Sequence, residues 1–313
     1  MTDPLVTIGV IVSDGQPVRT SMDALLAQTY ANLEVLVCDM TSTNAVMAVC
    51  AEYAARDRRV KYLSHERDGD YRGSKGTFRR LVSGAAGEYF MWASAKDYRG
   101  SRAVEDCVEA LQRNPGAVMA HGAIDVTSKG GSGSVTVTNQ MDLTSSSLVE
   151  RVRMFTTHLQ HPGMFYGLFN RHILARMAIG NHAGYVYVTC LQACLHGPIE
   201  YVRSPIIQYH QPTDALDTSM YTVKPITLKD LLTCRNPRRY KCWVTLFMGC
   251  RRVLAHQQAG PVDRISGTLV FAKAFVRRYS PHLGSELVFL LLTPVQWTAT
   301  LLLRARFKFK PAR

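Results

Sequence analysis

The chain has 313 residues, a hydrophobic content of 47% and a formal net charge of +13. This size and composition support a sizeable core and exclude a disordered chain, leaving one large domain with or without an appendage. The charge is concentrated, because residues 221–313 hold 17 Lys and Arg against 3 Asp and Glu, whereas residues 1–220 hold 20 against 21. A basic C-terminal part suits a phosphate-bearing partner such as a membrane surface or a lipid diphosphate. Nucleic acid is disfavoured, since no recognised binding module accompanies the charge.

The first half of the chain alternates between strand-like and helix-like segments. Strands are predicted over Val6–Val12, Leu33–Cys38, Val60–Leu63, Tyr89–Ala93 and Ala117–Val126. Helices are predicted over Val18–Gln28, from the Thr41–Thr43 caps through Arg56, over Lys75–Ala85 and over Arg102–Arg113. Alternation of this kind predicts a doubly wound, parallel α/β sheet, whose ligands bind at the C-terminal edge of the strands.

The second half is less regular. A Gly- and Ser-rich segment, Thr127–Ser134, is expected to be a loop. Helices are predicted over Leu148–Leu159 and Tyr185–Leu195, and two edge strands over Ile199–Val202 and Ile206–Tyr209. The chain becomes basic and helical after about residue 215, which predicts an α/β domain over residues 1–215 and a helical region over residues 216–313.

The segment Gly87–Asp97, GEYFMWASAKD, is central to the functional interpretation. Its apolar run predicts a strand buried on both faces, and that strand ends in Ser94-Ala95-Lys96-Asp97. Polar residues in this position lie where open α/β sheets bind their ligands.

Five segments over residues 5–125 together resemble glycosyltransferase family 2, the inverting, nucleotide-sugar-dependent enzymes with the GT-A fold. They are VTIGVIVSDGQ, LLAQTYANLEVLVCDMTST, EYAARDRRVKYLSHERDGD, GEYFMWASAKD and VEALQRNPGAVMAHG. A weaker match, GMFYGLFNRHIL, resembles the acceptor-side segment of the family. The resemblance implies a GT-A-like, doubly wound and mainly parallel sheet, followed by a basic helical C-terminal region.

The resemblance also implies roles for individual residues. Asp39 takes the place of the aspartate that contacts the base or ribose of the nucleotide, and Ser13 and Asp14 lie in the loop around the base. Ser94-Ala95-Lys96-Asp97 aligns with the acidic cluster that holds a metal ion. Only Asp97 keeps an acid there, since Ser94 and Lys96 replace acidic residues.

This substitution argues against Mg²⁺ or Mn²⁺, because an ion without its carboxylate ligands is not retained. A lysine at the same place is a fixed positive charge that can itself face a diphosphate, so Lys96 is a candidate replacement for the metal. Lys75, Arg72 and Arg79 are candidates for a second cation. The alternative is that Lys96 is a drifted residue in an inactive site.

Inverting transfer needs a group that accepts the proton of the acceptor hydroxyl. The resemblance implies that the catalytic base, usually an Asp or Glu, lies just before the late helix, but the window 180–185 contains no Asp or Glu. His182 is the candidate base, because imidazole titrates near neutral pH, and His161 and His158 are further candidates. The alternative for each histidine is an ordinary loop or helix residue.

The C-terminal tail contains a 17-residue run without charge, Leu287–Leu303, and five basic residues follow it. The run is short for a membrane-spanning helix and includes Pro294 and Gln296, so an interfacial helix with a basic flank fits better. The alternative is a helical appendage packed on the domain. Since the N-terminus lacks a basic segment before its apolar run, no signal peptide is expected, and the chain is predicted to be cytoplasmic and peripheral on the inner face of the membrane.

The sequence therefore predicts a glycosyltransferase that moves a sugar from a nucleotide-sugar to a glycan, expected to be lipid-linked. Its partners would be the donor, that acceptor and a membrane surface contacted by residues 287–313. The alternative is a catalytically inactive member of the same fold that serves as a scaffold for a protein partner.

Overall fold

The computed structural model describes residues 3–12, 18–40, 44–63, 74–95, 98–127, 134–137, 141–159, 162–177, 185–210, 250 and 260–277. Eight strands are present in these ranges: β1 Val6–Val12, β2 Leu33–Asp39, β3 Val60–Leu63, β4 Tyr89–Ser94, β5 Met119–Thr127, β6 Ser134–Val137, β7 Leu168–Asn170 and β8 Ile199–His210. The five strands predicted in the first half are confirmed. The two predicted edge strands form one strand, β8, whose pairing with β5 shifts register near Gly122 and Ala123.

The helices are α1 Val18–Leu26, α2 Asn44–Arg56, α3 Ser74–Gly84, α4 Ala103–Arg113, α5 Leu148–His158, α6 Arg171–Leu174 and α7 Tyr185–His196, and α8 covers residues 261–277. The six helices predicted with bounds, α1 to α5 and α7, are confirmed with small changes at their ends, whereas the short helix α6 was not predicted. A 3-10 helix, Pro162–Tyr166, precedes β7. Apart from residue 250 and residues 260–277, the predicted basic region after residue 215 lies outside the described residues, and the proposed domain boundary stays a prediction.

The strand order is β3-β2-β1-β4-β7-β5-β6, and β8 pairs with β5. Strands β1 to β4 pair in parallel, β7 is antiparallel to both β4 and β5, and β6 is antiparallel to β5. Because β8 is parallel to β5, six strands run in one direction and two in the other. The sheet is therefore mainly parallel, as predicted. The strand β7 was not predicted, and the expected Thr127–Ser134 loop is shortened by β5 and β6 at its two ends.

Both faces of the sheet are buried, which explains the nearly continuous apolar runs of its strands. One hydrophobic cluster contains Tyr89, Met91 and Ala93, which point to one face of β4, together with residues of α1, α2 and α4. The other contains Phe90 and Trp92 together with residues of α3, α5 and α7. The helices thus form layers on both sides, as a doubly wound sheet requires.

A buried polar network joins β1, β2 and the start of β4 at the N-terminal edge of the sheet. The Thr7 hydroxyl donates to Glu34 Oε1 at 2.6 Å and accepts from the Gly87 N–H at 2.9 Å. Glu34 also accepts from the Ala86 N–H and from Lys61 Nζ, each at 2.7 Å. Burial by itself would raise the pKa of Glu34, but the hydrogen bonds from Lys61, Thr7 and Ala86 together lower it. The network fixes the three strands relative to one another.

At Gly87 the surrounding backbone leaves no space for a side chain. A Cβ on Gly87 would lie 2.7 Å from the Thr7 backbone nitrogen and 2.8 Å from the Leu5 carbonyl oxygen, so backbone would have to move. We expect Gly87→Ala to lower the free energy of unfolding by about 1–3 kcal/mol, measured by denaturant titration.

Gly84→Ala is the matched control, because its Cβ would meet only Leu36 Cδ1 at 3.8 Å and Leu63 Cδ1 at 4.0 Å. A glycine-to-alanine change in a helix with ordinary contacts should be neutral or slightly stabilising. Equal stability of the Gly87→Ala and Gly84→Ala variants would contradict this description of the network.

Candidate functional site

The C-terminal ends of β1, β2 and β4 lie side by side. Val12 pairs with Asp39, and Ile11 pairs with Ser94. The chain stays attached to β1 just beyond these pairs, since the Met40 N–H donates to the Val12 carbonyl at 2.9 Å and the Ala95 N–H to the Ile11 carbonyl at 3.2 Å. The structure therefore brings Asp39 and Ser94 to one edge, on the two sides of the central strand.

Asp39 is buried, with 4% of its surface exposed. The hydroxyl of Tyr62, on β3, donates to Asp39 Oδ2 at 3.3 Å. Burial and the charge and hydrogen bond of Asp39 raise the pKa of Tyr62 to about 12, so the phenol remains a donor at neutral pH. Burial, and secondarily the Asp39 charge, raises the pKa of Cys50 to about 11. The carboxylate therefore lies among α2, β2 and β3 with its position set by a neighbouring hydroxyl.

Cationic and hydroxyl groups of α3 lie on the opposite face of the same strand end. Burial raises the pKa of the Cys38 thiol, while the Arg80 charge and a hydrogen bond with Thr77 act in the other direction. Both residues therefore lie close to Cys38, the residue before Asp39. Arg80 is half-buried, whereas Arg79, a candidate cation from sequence, is exposed.

The residues on either side of Lys96 and Asp97 are anchored. The Ser21 hydroxyl on α1 donates to the Ser94 carbonyl at 3.1 Å. Tyr98 exchanges two backbone hydrogen bonds with Gln208 of β8, at 3.1 and 2.8 Å. The segment that contains Lys96 and Asp97 therefore starts at the end of β4 and rejoins the sheet at β8.

Arg99 strengthens the second of these anchors. It is buried, and its guanidinium donates to the carbonyls of Trp92, Tyr166 at 3.1 Å and Ile206 at 3.2 Å. Three separate elements, β4, the 3-10 helix and β8, therefore meet around one cation. Because hydrogen bonds from charged groups are about twice as strong as neutral ones, this contact gives the edge a rigid support.

An aromatic cluster packs between α3, β4 and the 3-10 helix next to this edge. Phe78 of α3 makes an edge contact with Trp92 of β4, with ring centroids 4.7 Å apart, and Trp92 stacks on Phe165 at 5.5 Å. Tyr185, at the start of α7, contacts Phe78 at 5.1 Å and Phe165 at 5.9 Å. The segment GMFYGLFNRHIL, which resembles the acceptor-side segment of the family and contains Phe165, therefore packs directly on α3 and β4.

The predicted site residues are only partly described. Asp39 and Ser94 are described fully, and Lys75 has a described main chain in the first turn of α3. The remaining predicted residues lie outside the described residues, namely Ser13, Asp14, Lys96, Asp97 and His182, the candidate cation Arg72 and the alternative base His161. His158 ends α5, where its ring contacts the Thr157 hydroxyl at 2.7 Å and the Met154 carbonyl at 3.2 Å within its own helix.

Within the described ranges, no three His, Cys, Asp or Glu side chains group as metal ligands would. None of the helices placed in those ranges is both long and apolar enough to cross a bilayer. The uncharged run Leu287–Leu303 is outside them.

Sequence reasoning missed the buried Arg99, and it also missed three residues beside the end of β2, namely Tyr62, Thr77 and Arg80. The tyrosine is recognisable only once the β2–β3 register is known, because it pairs with Val37, two positions before Asp39. The other two are spaced three apart on α3, so helical periodicity could have placed them on one face.

Comparison with known proteins identifies the class. The chain matches glycosyl transferase family 2 over residues 12–180, and it belongs to that family. Its fold is that of the GT-A glycosyltransferases. The structure of S. aureus TarS 1–349 has a TM-score of 0.58 at 11% identity, covering 92% of this chain and 80% of that one. TarS 1–349 in complex with UDP-GlcNAc has a TM-score of 0.59 at 13% identity, covering 88% and 73%.

A third similar structure is the mannosyltransferase PcManGT from Pyrobaculum calidifontis, in complex with GDP-Man and Mn²⁺. Its TM-score is 0.54 at 15% identity, covering 99% of this chain and 81% of that one. Among curated proteins, glycosyltransferase GlyG of Streptococcus pneumoniae serotype 4 is 24% identical over 119 residues, or 38% of each chain. GlyA of the same organism is 35% identical over 51 residues, 16% of this chain and 7% of its own. The matches thus span between 7% and 38% of these curated relatives.

The contact between Tyr62 and Asp39 can be tested by measuring the pKa of Tyr62. In Asp39→Asn the pKa of Tyr62 should fall from about 12 but remain above its ordinary value of 10, because burial is the larger cause of the shift. The pKa of Tyr62 is measured from phenolate absorbance during a pH titration. Subtracting the titration of a Tyr62→Phe variant isolates the signal of Tyr62, and the subtraction is made both in the natural protein and in Asp39→Asn.

Tyr30 is the internal control, since burial and Asp3 raise its pKa to about 12 without involving Asp39. The Tyr30→Phe difference titration should therefore not respond to Asp39→Asn. A Tyr62 titration that likewise does not respond would mean that the two side chains do not interact in solution.

Proposed function

We propose that the protein is an inverting glycosyltransferase that transfers a sugar from a nucleotide-sugar to a glycan acceptor, which we expect to be lipid-linked. The observation that supports this most directly is the buried carboxylate of Asp39 at the C-terminal edge of the sheet, held by Tyr62 within the matched family segment. At such an edge a carboxylate can accept hydrogen bonds from the ribose hydroxyls or the base of a nucleotide.

In this reaction the acceptor oxygen attacks the anomeric carbon while the bond from that carbon to the diphosphate breaks. The nucleoside diphosphate leaves with the bonding electrons, and the acceptor proton passes to a base. We assign the base role to His182, because the window 180–185 contains no carboxylate. Ser13 and Asp14 complete the nucleotide side of the site in this proposal.

The charge that develops on the diphosphate has to be neutralised as it leaves. The sequence around Lys96 does not fit a divalent ion well, since an ammonium group cannot be a ligand and Asp97 is the acid that remains in the motif. We therefore assign the neutralising role to Lys96, assisted by Lys75 in the first turn of α3, and propose binding without metal. Arg80 adds positive charge on the α3 side of the edge.

A second candidate function rests on the same substitutions. Lysine in the metal motif and the missing acid near residue 182 are also what a catalytically inactive family member would show. Such a protein would keep the fold and serve as a scaffold for a partner protein. Donor binding and turnover separate the two candidates.

The location of the reaction follows from the acceptor and the tail. We propose that residues 287–313 lie against the inner face of a membrane, with the uncharged run at the interface and the five following basic residues near anionic headgroups. A lipid-linked acceptor would then be within reach of a cytoplasmic, peripheral enzyme.

Replacing Asp39 with Ala should weaken binding of UDP or GDP about tenfold or more, because a hydrogen bond to a charged group contributes about 1.5–3 kcal/mol. Isothermal titration calorimetry of the folded variant measures this. Asp142→Ala is the control, since that carboxylate accepts hydrogen bonds from Thr144 in a loop before α5. Unchanged affinity in Asp39→Ala would remove Asp39 from the site.

Substitutions of Lys96 distinguish a metal-independent enzyme from an inactive scaffold. Nucleotide diphosphate binding should be insensitive to EDTA and should fall in Lys96→Ala. It should fall further in Lys96→Asp, where like charges meet, with partial recovery when Mn²⁺ is added. Arg113→Ala, which removes an exposed charge from the end of α4, should have no effect.

EDTA-sensitive binding by the natural protein would contradict the replacement of metal by lysine. Indifference to all substitutions, with neither donor hydrolysis nor transfer, would favour the scaffold.

A further inference from the structure

Helix α8 carries apolar residues on two different faces. The inner face includes Phe271 and Phe275, which are fully buried. They belong to the same hydrophobic cluster as Tyr187 and Leu191 of α7. The helix is therefore anchored to the core of the α/β domain.

The outer face presents four large apolar side chains to solvent. Their exposed fractions are 76% for Val262, 63% for Ile265, 65% for Leu269 and 48% for Val276. Because the residues are spaced by three, four and seven positions, they lie within about 60° of arc on a helix about 25 Å long. We call these four residues the outer stripe. A surface helix ordinarily presents polar residues here, and contiguous exposed apolar residues mark an interaction surface.

Helix α8 carries a net positive charge, with Arg264, Lys273 and Arg277 against one acid, Asp263. In the sequence, the 36 residues that follow hold six Lys and Arg against one Glu. The surface that complements this combination is apolar at its centre and anionic at its boundary.

The small size of the outer stripe argues against a protein partner. A stable protein interface needs about 800 Å² and 20–30 residues on each side, whereas the stripe offers four side chains along one helix. A bilayer requires much less, because an interfacial helix inserts a single apolar face about 5–10 Å deep while its basic residues contact the headgroups.

We propose that α8 is an interfacial helix that docks the α/β domain on an anionic lipid bilayer through the outer stripe. This contact goes beyond the tail, residues 287–313, because α8 is packed into the domain core. A tail alone would tether the domain loosely, whereas α8 would fix its orientation relative to the bilayer. The proposal does not rest on catalysis or on nucleotide binding.

The test is co-sedimentation of the full chain with vesicles of phosphatidylglycerol and phosphatidylcholine. The variant carries Ile265→Gln with Leu269→Gln, two exposed positions whose replacement adds no charge and keeps good helix formers. The partition coefficient of this variant should fall about tenfold or more, since two apolar side chains no longer leave water. Met47→Gln, which changes an exposed apolar residue of α2, is the matched control and should bind as the natural chain does.

Several outcomes would overturn the proposal. They are absence of vesicle binding by the natural chain, unchanged binding by the double variant, and equal binding to pure phosphatidylcholine. A change of mass in sedimentation velocity with unchanged vesicle binding would identify the stripe as a contact between copies, which also overturns it. Calorimetry with UDP and GDP on the same variants should show unchanged affinity. Loss of the membrane-docking proposal for α8 can therefore be distinguished from loss of the proposed nucleotide-binding function.

Discussion

The structure depends on the relative register of β1, β2 and β4, which the Thr7–Glu34–Gly87 network fixes at the N-terminal edge. In a parallel sheet a shift by one residue would turn every side chain to the opposite face. The network, buried and hydrogen-bonded at both Glu34 oxygens, makes such a shift costly. The candidate site residues lie at the other end of the same strands, five residues after Glu34 for Asp39 and seven residues after Gly87 for Ser94. Their positions therefore depend on this constraint.

The alternation of side chains at the end of β2 gives the candidate site two chemically different sides. Cys38 faces Thr77 and Arg80 of α3, whereas Asp39 faces Tyr62 of β3. A carboxylate accepts hydrogen bonds, and a guanidinium binds anions. One strand end thus offers both kinds of group to a ligand that combines hydroxyls with phosphates, which is the composition of a nucleotide-sugar.

How much could be predicted from sequence depends on how local the cause of each element is. The bounds of β1 and β3 were predicted to the residue, because short β-branched or apolar runs are interrupted by clear turn residues. The strand β7 was missed because it has three residues, and its form comes from pairing with β4 and β5 on its two sides. A strand that short has no periodicity to detect.

The same distinction applies to the site. Asp39 was predicted because it directly follows a strand within a family motif, and the structure places it buried at the sheet edge. Its role in nucleotide binding stays a prediction. Tyr62 was missed because its importance lies in a contact between residues 23 positions apart, which requires the register of two strands. Arg99 was missed for a related reason, since its three carbonyl partners come from distant segments.

A crystal structure of the protein with bound UDP or GDP tests most directly whether the C-terminal edge around Asp39 is a nucleotide-binding site. We expect the nucleotide at the ends of β1, β2 and β4, with Asp39 within hydrogen-bond distance of its ribose or base. A nucleotide ordered at another surface, far from an Asp39 carboxylate that still accepts the hydrogen bond of Tyr62, would contradict a nucleotide site at this edge.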